Sequence, residues 1–168
     1  MAFLFGQLKP GDSVFVDANT LVYHFGLHPG FGAACNQLLF RIEQQDLLGY
    51  TSTHVLSELA HRLMMVEASA LPGWSANKIK LRLRQNPAAL ASLTQFRTAI
   101  ETVLQSRIIV LSIAPALVAS AAVVSQQHGL LSNDALIVAV MQSSGLANLA
   151  SSDTDFDRVP GITRYAPA

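Results

Sequence analysis

Acidic residues stand at four separated points of the sequence where an apolar segment begins, ends or forms a helix. Asp17 directly follows Ser13–Val16, a short run rich in β-branched and aromatic residues that is typical of a buried strand. Asp153 likewise follows a short apolar segment, while Glu58 and Asp134 each lie in a mostly apolar stretch that is typical of a helix. Carboxylates in such places are hard to explain as solvated charge. Together they could hold a divalent cation for hydrolytic chemistry.

Each acid also has a simpler structural explanation, which its own surroundings leave open. Asp17 precedes an apolar run, so it could serve only to cap the helix that follows. Asp134 stands at the start of an apolar helix, where the helix dipole alone favours a negative charge. Glu58 could be an exposed acid, because acids on helices are mostly solvated. The occurrence of four such acids in one chain is what favours a shared site.

Short apolar runs alternate with segments of helical periodicity, which predicts an α/β fold. The predicted strands cover residues 13–16, 47–52, 108–112, 148–152 and 162–165, and the predicted helices cover 20–26, 32–45, 53–68, 76–85, 87–105, 114–128 and 133–144. Residues 1–12 are predicted to be irregular. We expect one domain over 1–168 with a three-layer α/β/α architecture, a central and mainly parallel sheet, and an extra helical segment around 68–107.

The predicted sheet explains how distant acids could meet. All carboxyl ends of parallel strands open on one edge of a sheet, and Asp17 and Asp153 follow two of these ends. We expect Glu58 and Asp134 to join them in one pocket. Carboxylates at close quarters repel one another, and a hard cation such as Mg²⁺ or Mn²⁺ resolves the repulsion. Metal-assisted hydrolysis of a phosphodiester is the natural chemistry of such a site.

Four cations in the segment 76–85 are the best candidates for phosphate contacts. Lys78, Lys80, Arg82 and Arg84 alternate with apolar residues, which is typical of a strand, but the segment lies between helical stretches and we predict a helix. The chain has 11 basic and 11 acidic residues, so an RNA substrate would need such a local cluster. A solvated helix face is the alternative explanation. Weaker candidates are Arg62, Arg97, Arg158 and Arg164.

The composition predicts either a well-filled core or an apolar surface that is covered by a partner. Only 13% of the 168 residues are charged, against about 25% in ordinary domains. Residues 108–129 contain no Asp, Glu, Lys or Arg, but Pro115 and interspersed serines and glutamines argue against a membrane span. We therefore expect a homodimer. Cys35 is the single cysteine, and the first six residues lack a signal-peptide pattern, so we expect a cytoplasmic protein.

Other catalytic motifs are missing from the sequence. It contains no Gly-x-Ser-x-Gly elbow for a catalytic serine and no Gly-x-x-x-x-Gly-Lys phosphate loop. No Cys/His spacing predicts a zinc site. The function of this chain is therefore predicted from its acidic residues.

The four acids and their neighbours resemble the motifs of PIN-domain ribonucleases, above all the VapC-type toxins of bacterial toxin–antitoxin pairs. The motifs are Asp17-Ala18-Asn19-Thr20, Ser57-Glu58, Ser132-Asn133-Asp134-Ala135 and Ser151-Ser152-Asp153-Thr154-Asp155-Phe156. The resemblance implies an endoribonuclease that cleaves single-stranded regions of RNA with Mg²⁺ or Mn²⁺. It implies that Asp17, Asp134 and Asp153 are the metal ligands. Glu58 would contact those ligands or the attacking water.

The same resemblance implies supporting residues and partners. Asn19 and Ser151 match positions that orient the acids by hydrogen bonds, and Asp155 matches an extra acid, whereas Asp157 reads as a solvated surface charge. An antitoxin protein is the implied partner. The chain is longer than the family's toxins between Glu58 and Asp134. The alternative is therefore a PIN-fold protein that is not a toxin and that binds RNA or acts as a regulatory or interaction protein.

Overall fold

The computed structural model describes residues 3–74 and 77–168, and within them six strands form one sheet. The strands are β1 (Phe3–Leu4), β2 (Ser13–Val16), β3 (Leu48–Ser52), β4 (Ile109–Leu111), β5 (Asn148–Ala150) and β6 (Thr163–Ala166). Their spatial order is β1-β6-β5-β2-β3-β4, and every neighbouring pair is parallel. The predicted parallel sheet is therefore confirmed.

Helices flank this sheet and complete the predicted three-layer α/β/α fold. In the described ranges they are α1 (Ala18–Phe25), α2 (Gly32–Glu43), α3 (Thr53–Ser69), α4 (Ile79–Gln85), α5 (Pro87–Ser92), α6 (Gln95–Gln105), α7 (Pro115–His128) and α8 (Ser132–Ser143). Two short 3₁₀ helices add to them, Phe5–Gln7 and Thr154–Arg158. None of the described helices has the length and hydrophobicity that a membrane span requires.

Strand β2 lies in the middle of the sheet and carries the first acid at its end. Val14, Phe15 and Val16 have no exposed surface, as expected of an apolar strand that is covered on both faces. The chain proceeds from β2 outward to β3 and β4, and it returns on the other side of β2 with β5 and β6. The order of the strands thus reverses beside β2. Open α/β folds bind ligands at the carboxyl ends of the strands at such a point.

The first described residues are not irregular, contrary to the prediction for 1–12. Phe3 and Leu4 form β1, which pairs with Tyr165 and Ala166 of β6 and adds a sixth strand at the edge of the sheet. A strand of two residues is too short to show periodicity in the sequence. Its pairing depends on residues at the other end of the chain. Met1 and Ala2 lie outside the described residues.

The single helix predicted over 87–105 is instead two helices, α5 and α6, which are separated at Leu93 and Thr94. The carboxylate of Glu67 on α3 accepts hydrogen bonds from the backbone N–H groups of Thr94 and Gln95, both at 2.9 Å. An acid in this position satisfies and charge-stabilises the start of α6. Leu93 is buried at the break. A tertiary contact from α3 therefore ends one helix and begins the next.

The insertion, residues 68–107, contributes Ala99 and Val103 of α6 to the main core and otherwise packs on a second, small apolar cluster. Its buried members are Ala68, Ile79, Leu83 and Leu93, with Met64, Met65, Leu71, Trp74 and Phe96 packed around them. The helix predicted for 76–85 is present as α4, which begins at Ile79; its predicted start at Ala76 lies outside the described residues. The first part of the extra helical segment predicted between Glu58 and Asp134 thus has a small core of its own against α3, whereas α6 packs on the main core.

Candidate active site

Asp17 stands directly after β2, and protein donors hold both oxygens of its carboxylate. The residue is 4% exposed, and Oδ1 accepts the backbone N–H of Ala18 at 2.6 Å, at the start of α1. Oδ2 accepts hydrogen bonds from Ser151 Oγ at 2.7 Å and from Asn19 Nδ2 at 3.1 Å. One oxygen therefore caps the helix, while Asn19 and Ser151 orient the other.

The surroundings of Asp17 make its ionised form costly. Burial raises the pKa of Asp17, and the charge of Glu58 raises it further. The hydrogen bonds from Ser151, Ala18 and Asn19 favour the ionised form and oppose this shift, but the net direction is upward. A cation beside the carboxylate would reverse the balance.

Asp134 lies half-buried in the first turn of α8, and the charges of the other acids in the predicted site affect its pKa. Burial and then the charges of Asp153, Asp17, Glu58 and, least of these, Asp155 raise the pKa of Asp134 to about 6. Charges act on one another in this way only at short range. The structure therefore brings these acids, which are far apart in sequence, to one edge of the sheet.

Asp153 is joined to Asp17 through Ser151 at the end of β5. The hydroxyl of Ser151, which is fully buried, donates to Asp17 and accepts the backbone N–H of Asp153 at 3.1 Å. Oδ1 of Asp153 accepts the N–H of Asp155 at 2.8 Å and so caps the 3₁₀ helix that follows. Neighbouring strands β2 and β5 thus end in two acids that share one serine.

Glu58 enters the site from α3 together with an arginine that the sequence did not single out as part of it. Arg62 Nη1 lies 3.8 Å from Glu58 Oε1 and also donates a hydrogen bond to Asn19 Oδ1. Asn19 in turn donates to Asp17. Arg62 therefore links α3 to α1 and fixes which end of the Asn19 amide faces Asp17. The spacing of four residues between Glu58 and Arg62 was the signal for this pair.

Replacing Arg62 by alanine should destabilise the metal-free protein, because Arg62 is the cation bound within the acidic cluster. We expect the unfolding temperature in EDTA to fall by about 2–4 °C, and saturating Mg²⁺ to recover most of the loss. Arg97→Ala is the matched control, since it removes an i,i+4 pair with Glu101 that lies on the surface of α6. Thermal unfolding of both variants makes the comparison. An equal loss for the two would contradict the role given to Arg62.

Two further acids near the cluster are paired with arginines. Asp155 forms an ion pair with Arg158, and its charge still contributes to the raised pKa of Asp134. Asp157 is exposed, as predicted, but it binds the buried Arg164 through two hydrogen bonds at 2.8 and 2.9 Å. That arginine lowers the pKa of Asp157. Asp155 therefore lies at the margin of the cluster, and Asp157 has a structural partner of its own.

The predicted phosphate-binding cations fall into two groups. The weaker candidates all pair with an acid, namely Arg62 with Glu58, Arg97 with Glu101, Arg158 with Asp155 and Arg164 with Asp157. The stronger candidates all belong to the insertion. Lys80, Arg82 and Arg84 lie on α4, and Lys78 precedes it with a left-handed backbone (φ 65°). Among the described residues, none of these four forms a salt bridge.

The donor set of the acidic cluster suits a hard divalent cation. Carboxylate oxygens are the ligands that Mg²⁺ and Mn²⁺ prefer, and a bound cation would relieve the repulsion that raises the pKa of Asp134. Within 3–74 and 77–168, no three His, Cys, Asp or Glu side chains already stand close enough to ligate one ion. A cation would therefore be held by one or two carboxylates together with water, which is usual for Mg²⁺.

The chain matches a known protein family. The sequence matches the PIN domain over residues 14–162, which is most of the chain, so the protein belongs to the PIN domain family. The resemblance that the four motifs predicted is confirmed. No curated protein is significantly similar in sequence to this chain.

Several solved VapC-type structures share the fold. VapC20 of Mycobacterium tuberculosis, a sarcin–ricin loop cleaving toxin, is 19% identical with a TM-score of 0.57 over 86% of this chain and 92% of that chain. VapBC2 of Rickettsia felis, bound to a DNA fragment from its promoter, is 18% identical with a TM-score of 0.55 over 93% and 99%. A toxin–antitoxin complex from Klebsiella pneumoniae is 18% identical with a TM-score of 0.52 over 89% and 94%. At identities this low, the structural similarity establishes a shared fold and nothing more specific.

Proposed function

We propose that the protein is an endoribonuclease that hydrolyses phosphodiester bonds of RNA with the help of Mg²⁺ or Mn²⁺. The observation that supports this best is the convergence of acids from separate elements. Ser151 links Asp17 to Asp153 by hydrogen bonds, and burial together with the charges of the neighbouring acids raises the pKa of Asp134. Such a cluster favours a bound cation and, through it, a bound phosphate. The similar fold of VapC20, a toxin that cleaves the sarcin–ricin loop, supports RNA as the substrate class.

The proposal gives each acid a role. Asp17 and Asp134 would bind the cation directly, and Asp153 would bind it through water. When bound, the cation would activate water and neutralise charge on the scissile phosphate. Glu58, at the α3 side of the cluster, orients the attacking water. Asp155 adds negative charge at the margin.

The hydrogen-bonded neighbours of Asp17 have a positioning role in the same proposal. Asn19 and Ser151 keep Oδ2 of Asp17 in one orientation, because each donates to that oxygen. Arg62 keeps Asn19 in its orientation. A ligand that is fixed in advance loses little entropy when the cation binds.

The role of this nuclease in the cell is proposed to be that of the toxin in a toxin–antitoxin pair. The shared fold with VapBC2 and with the Klebsiella toxin–antitoxin complex supports this. The insertion favours the alternative, a PIN-fold protein that is not a toxin and that binds RNA or regulates a partner. A small antitoxin-like reading frame immediately upstream of the gene would support the toxin.

A homodimer is proposed because the charge-free stretch 108–129 is not fully covered in the monomer. Ile109 on β4 and Val118 and Val123 on α7 are each about half exposed. Exposed apolar residues without neighbouring charges can pack against the same residues of a second copy. Light scattering should therefore give twice the mass of 18.0 kDa. The double substitution Val118→Lys/Val123→Lys should give a folded monomer, whereas a monomeric unsubstituted protein at micromolar concentration would contradict the dimer.

The nuclease proposal is tested by incubating the purified protein with total RNA, with and without Mg²⁺ or Mn²⁺. Discrete RNA fragments that form only with the metal are the expected result. Intact RNA under all of these conditions would reject the proposal and favour a binding or regulatory protein.

A further inference from the structure

The insertion holds a segment in which charge is strongly segregated. Residues 68–100 contain five of the 11 basic residues of the chain and none of its 11 acidic residues. This segment is therefore formally +5, and the remainder of the chain, with six basic and eleven acidic residues, is −5. Ordinary solvated surfaces mix the two signs. The net charge of zero is therefore the sum of a basic segment and an acidic remainder. Residues 68–100 are called the basic arm below.

Three cations on α4 or directly before it are free to bind an anion. Lys78, Lys80 and Arg84 are exposed, and in the part of the chain that the structure describes they form neither a salt bridge nor a side-chain hydrogen bond with an acid. The acid nearest in sequence, Glu67, has both oxygens occupied by the backbone at the start of α6. Within residues 3–74 and 77–168, no acid therefore pairs with these three cations.

An aromatic side chain lies beside Arg82, a fourth cation of the same segment. Trp74 is half-buried, and the guanidinium of Arg82 lies over its ring at 5.9 Å from the centroid. Arg82 also donates to the carbonyl of Gly73 at 3.0 Å, which holds the start of the arm. Aromatic rings among cations are the combination with which proteins bind single-stranded nucleic acid, because bases stack on the rings while the cations contact phosphates.

Helix α3 fixes the distance between this basic arm and the acidic cluster. Glu58 lies on α3, and Ala68, ten residues further along the same helix, packs against Ile79 and Leu83 of α4. Ten helical residues span about 15 Å, which is about four nucleotides of a stacked strand at ~3.4 Å each. The side chain of Gln95 ties the far end of the insertion to the carbonyl of Phe25 on α1.

We propose that Lys78, Lys80 and Arg84, together with Arg82 and Trp74, form a second contact site for the single-stranded RNA that the acidic cluster cleaves. The site binds phosphates several nucleotides from the scissile bond. It rests on the proposed ribonuclease function for the identity of its ligand. An acidic segment of a partner protein is the other occupant that the charge would admit, but the adjacent aromatic ring favours RNA.

Trp74 is the only tryptophan of the chain, so its fluorescence reports on this surface alone. The probes are oligouridine RNAs of about 20 and about two nucleotides, the second being shorter than the distance between the two sites. Both are titrated in the Asp134→Asn background so that they are not cleaved. We expect the longer RNA to quench Trp74, because it reaches both sites. The short RNA should leave the fluorescence unchanged.

The double substitution Lys80→Ala/Arg84→Ala tests the phosphate contacts. It should weaken binding of the longer RNA roughly tenfold and reduce the salt slope of log K by about 1.4, since each contact to a single strand contributes ~0.7. In the otherwise unsubstituted enzyme, kcat/KM for the short RNA should stay unchanged. Lys9→Ala/Arg107→Ala removes two exposed cations outside the arm and should have no effect on either RNA.

The outcomes separate this inference from the proposed function. Equal affinity and equal salt slope for the two double variants would overturn the second contact site, and this is the result that docking of an acidic protein predicts. Quenching that is lost in Lys80→Ala/Arg84→Ala supports the site even if the protein cleaves no RNA. Cleavage without any quenching would retain the nuclease and reject the site.

Discussion

Replacing Asp17 by asparagine should reduce RNA cleavage by roughly 10³-fold or more. The substitution keeps the shape of the side chain, but it removes the charge that the proposed cation requires. Asparagine caps helices about as well as aspartate, so the N–H of Ala18 keeps its acceptor. The asparagine amide places a donor where Asp17 offers an acceptor to Ser151 and Asn19, which lowers the stability. Removal of a buried negative charge raises the stability and offsets this loss. We therefore expect the metal-free variant to be no less stable.

The measurements that check this prediction are Mn²⁺ affinity, thermal stability and RNA cleavage of Asp17→Asn. The control is Glu101→Gln, which removes a carboxylate from the exposed side of α6 and should alter none of the three. If Asp17 served only as a helix cap, the variant would keep both its activity and its stability. Retained metal affinity together with retained cleavage would therefore contradict the catalytic assignment.

Replacing Asp134 by asparagine should stabilise the metal-free protein at neutral pH and not at acidic pH. The folded pKa of Asp134 is about 6 against an ordinary 3.8, so the folded state binds the proton more tightly than the unfolded state. The contribution of Asp134 to stability is therefore greatest below pH 4 and is lost as the pH rises from about 4 to about 6. Asparagine does not titrate, so the variant does not lose this contribution to stability as the pH rises.

The expected gain is on the order of 1 kcal/mol at pH 7.5, once the shift is discounted for the partial exposure of the side chain. For a chain of this size that is about 2–4 °C in unfolding temperature. Mg²⁺ should stabilise the unsubstituted protein more than the variant, because the cation relieves the same repulsion. Thermal unfolding at pH 4 and pH 7.5 in EDTA makes the test. A variant that is destabilised equally at both pH values would show that Asp134 serves only the dipole of α8.

The central elements of the fold could be predicted from local signals. The apolar run Val14, Phe15 and Val16 marked a strand that is buried on both faces, and Asp17 marked its end. The alternation of strands and helices determined the parallel sheet. Parallel connections alone then brought Asp17 and Asp153 to the same edge, which is why acids far apart in sequence could be assigned to one site.

Features that depend on contacts between distant residues could not be predicted in this way. The break between α5 and α6 is caused by Glu67, which lies almost thirty residues before it in sequence. The contact of Arg62 with Asn19 joins two helices, and no local pattern encodes it. In α4 the alternating pattern resembled a strand, yet the buried positions are Ile79 and Leu83, four apart, while Leu81 is 49% exposed. That spacing is helical.

RNA cleavage by the purified protein as a function of Mn²⁺ concentration, with the new RNA ends identified, tests the catalytic role of the acids most directly. We expect no cleavage in EDTA, recovery when Mn²⁺ or Mg²⁺ is added, and ends without a 2′,3′-cyclic phosphate, because water and not the neighbouring 2′-hydroxyl attacks the phosphate. The Asp17→Asn protein, purified in the same way, controls for a contaminating ribonuclease. Cleavage that persists in EDTA, or that Asp17→Asn retains in full, would contradict a metal-dependent nuclease built on Asp17, Glu58, Asp134 and Asp153.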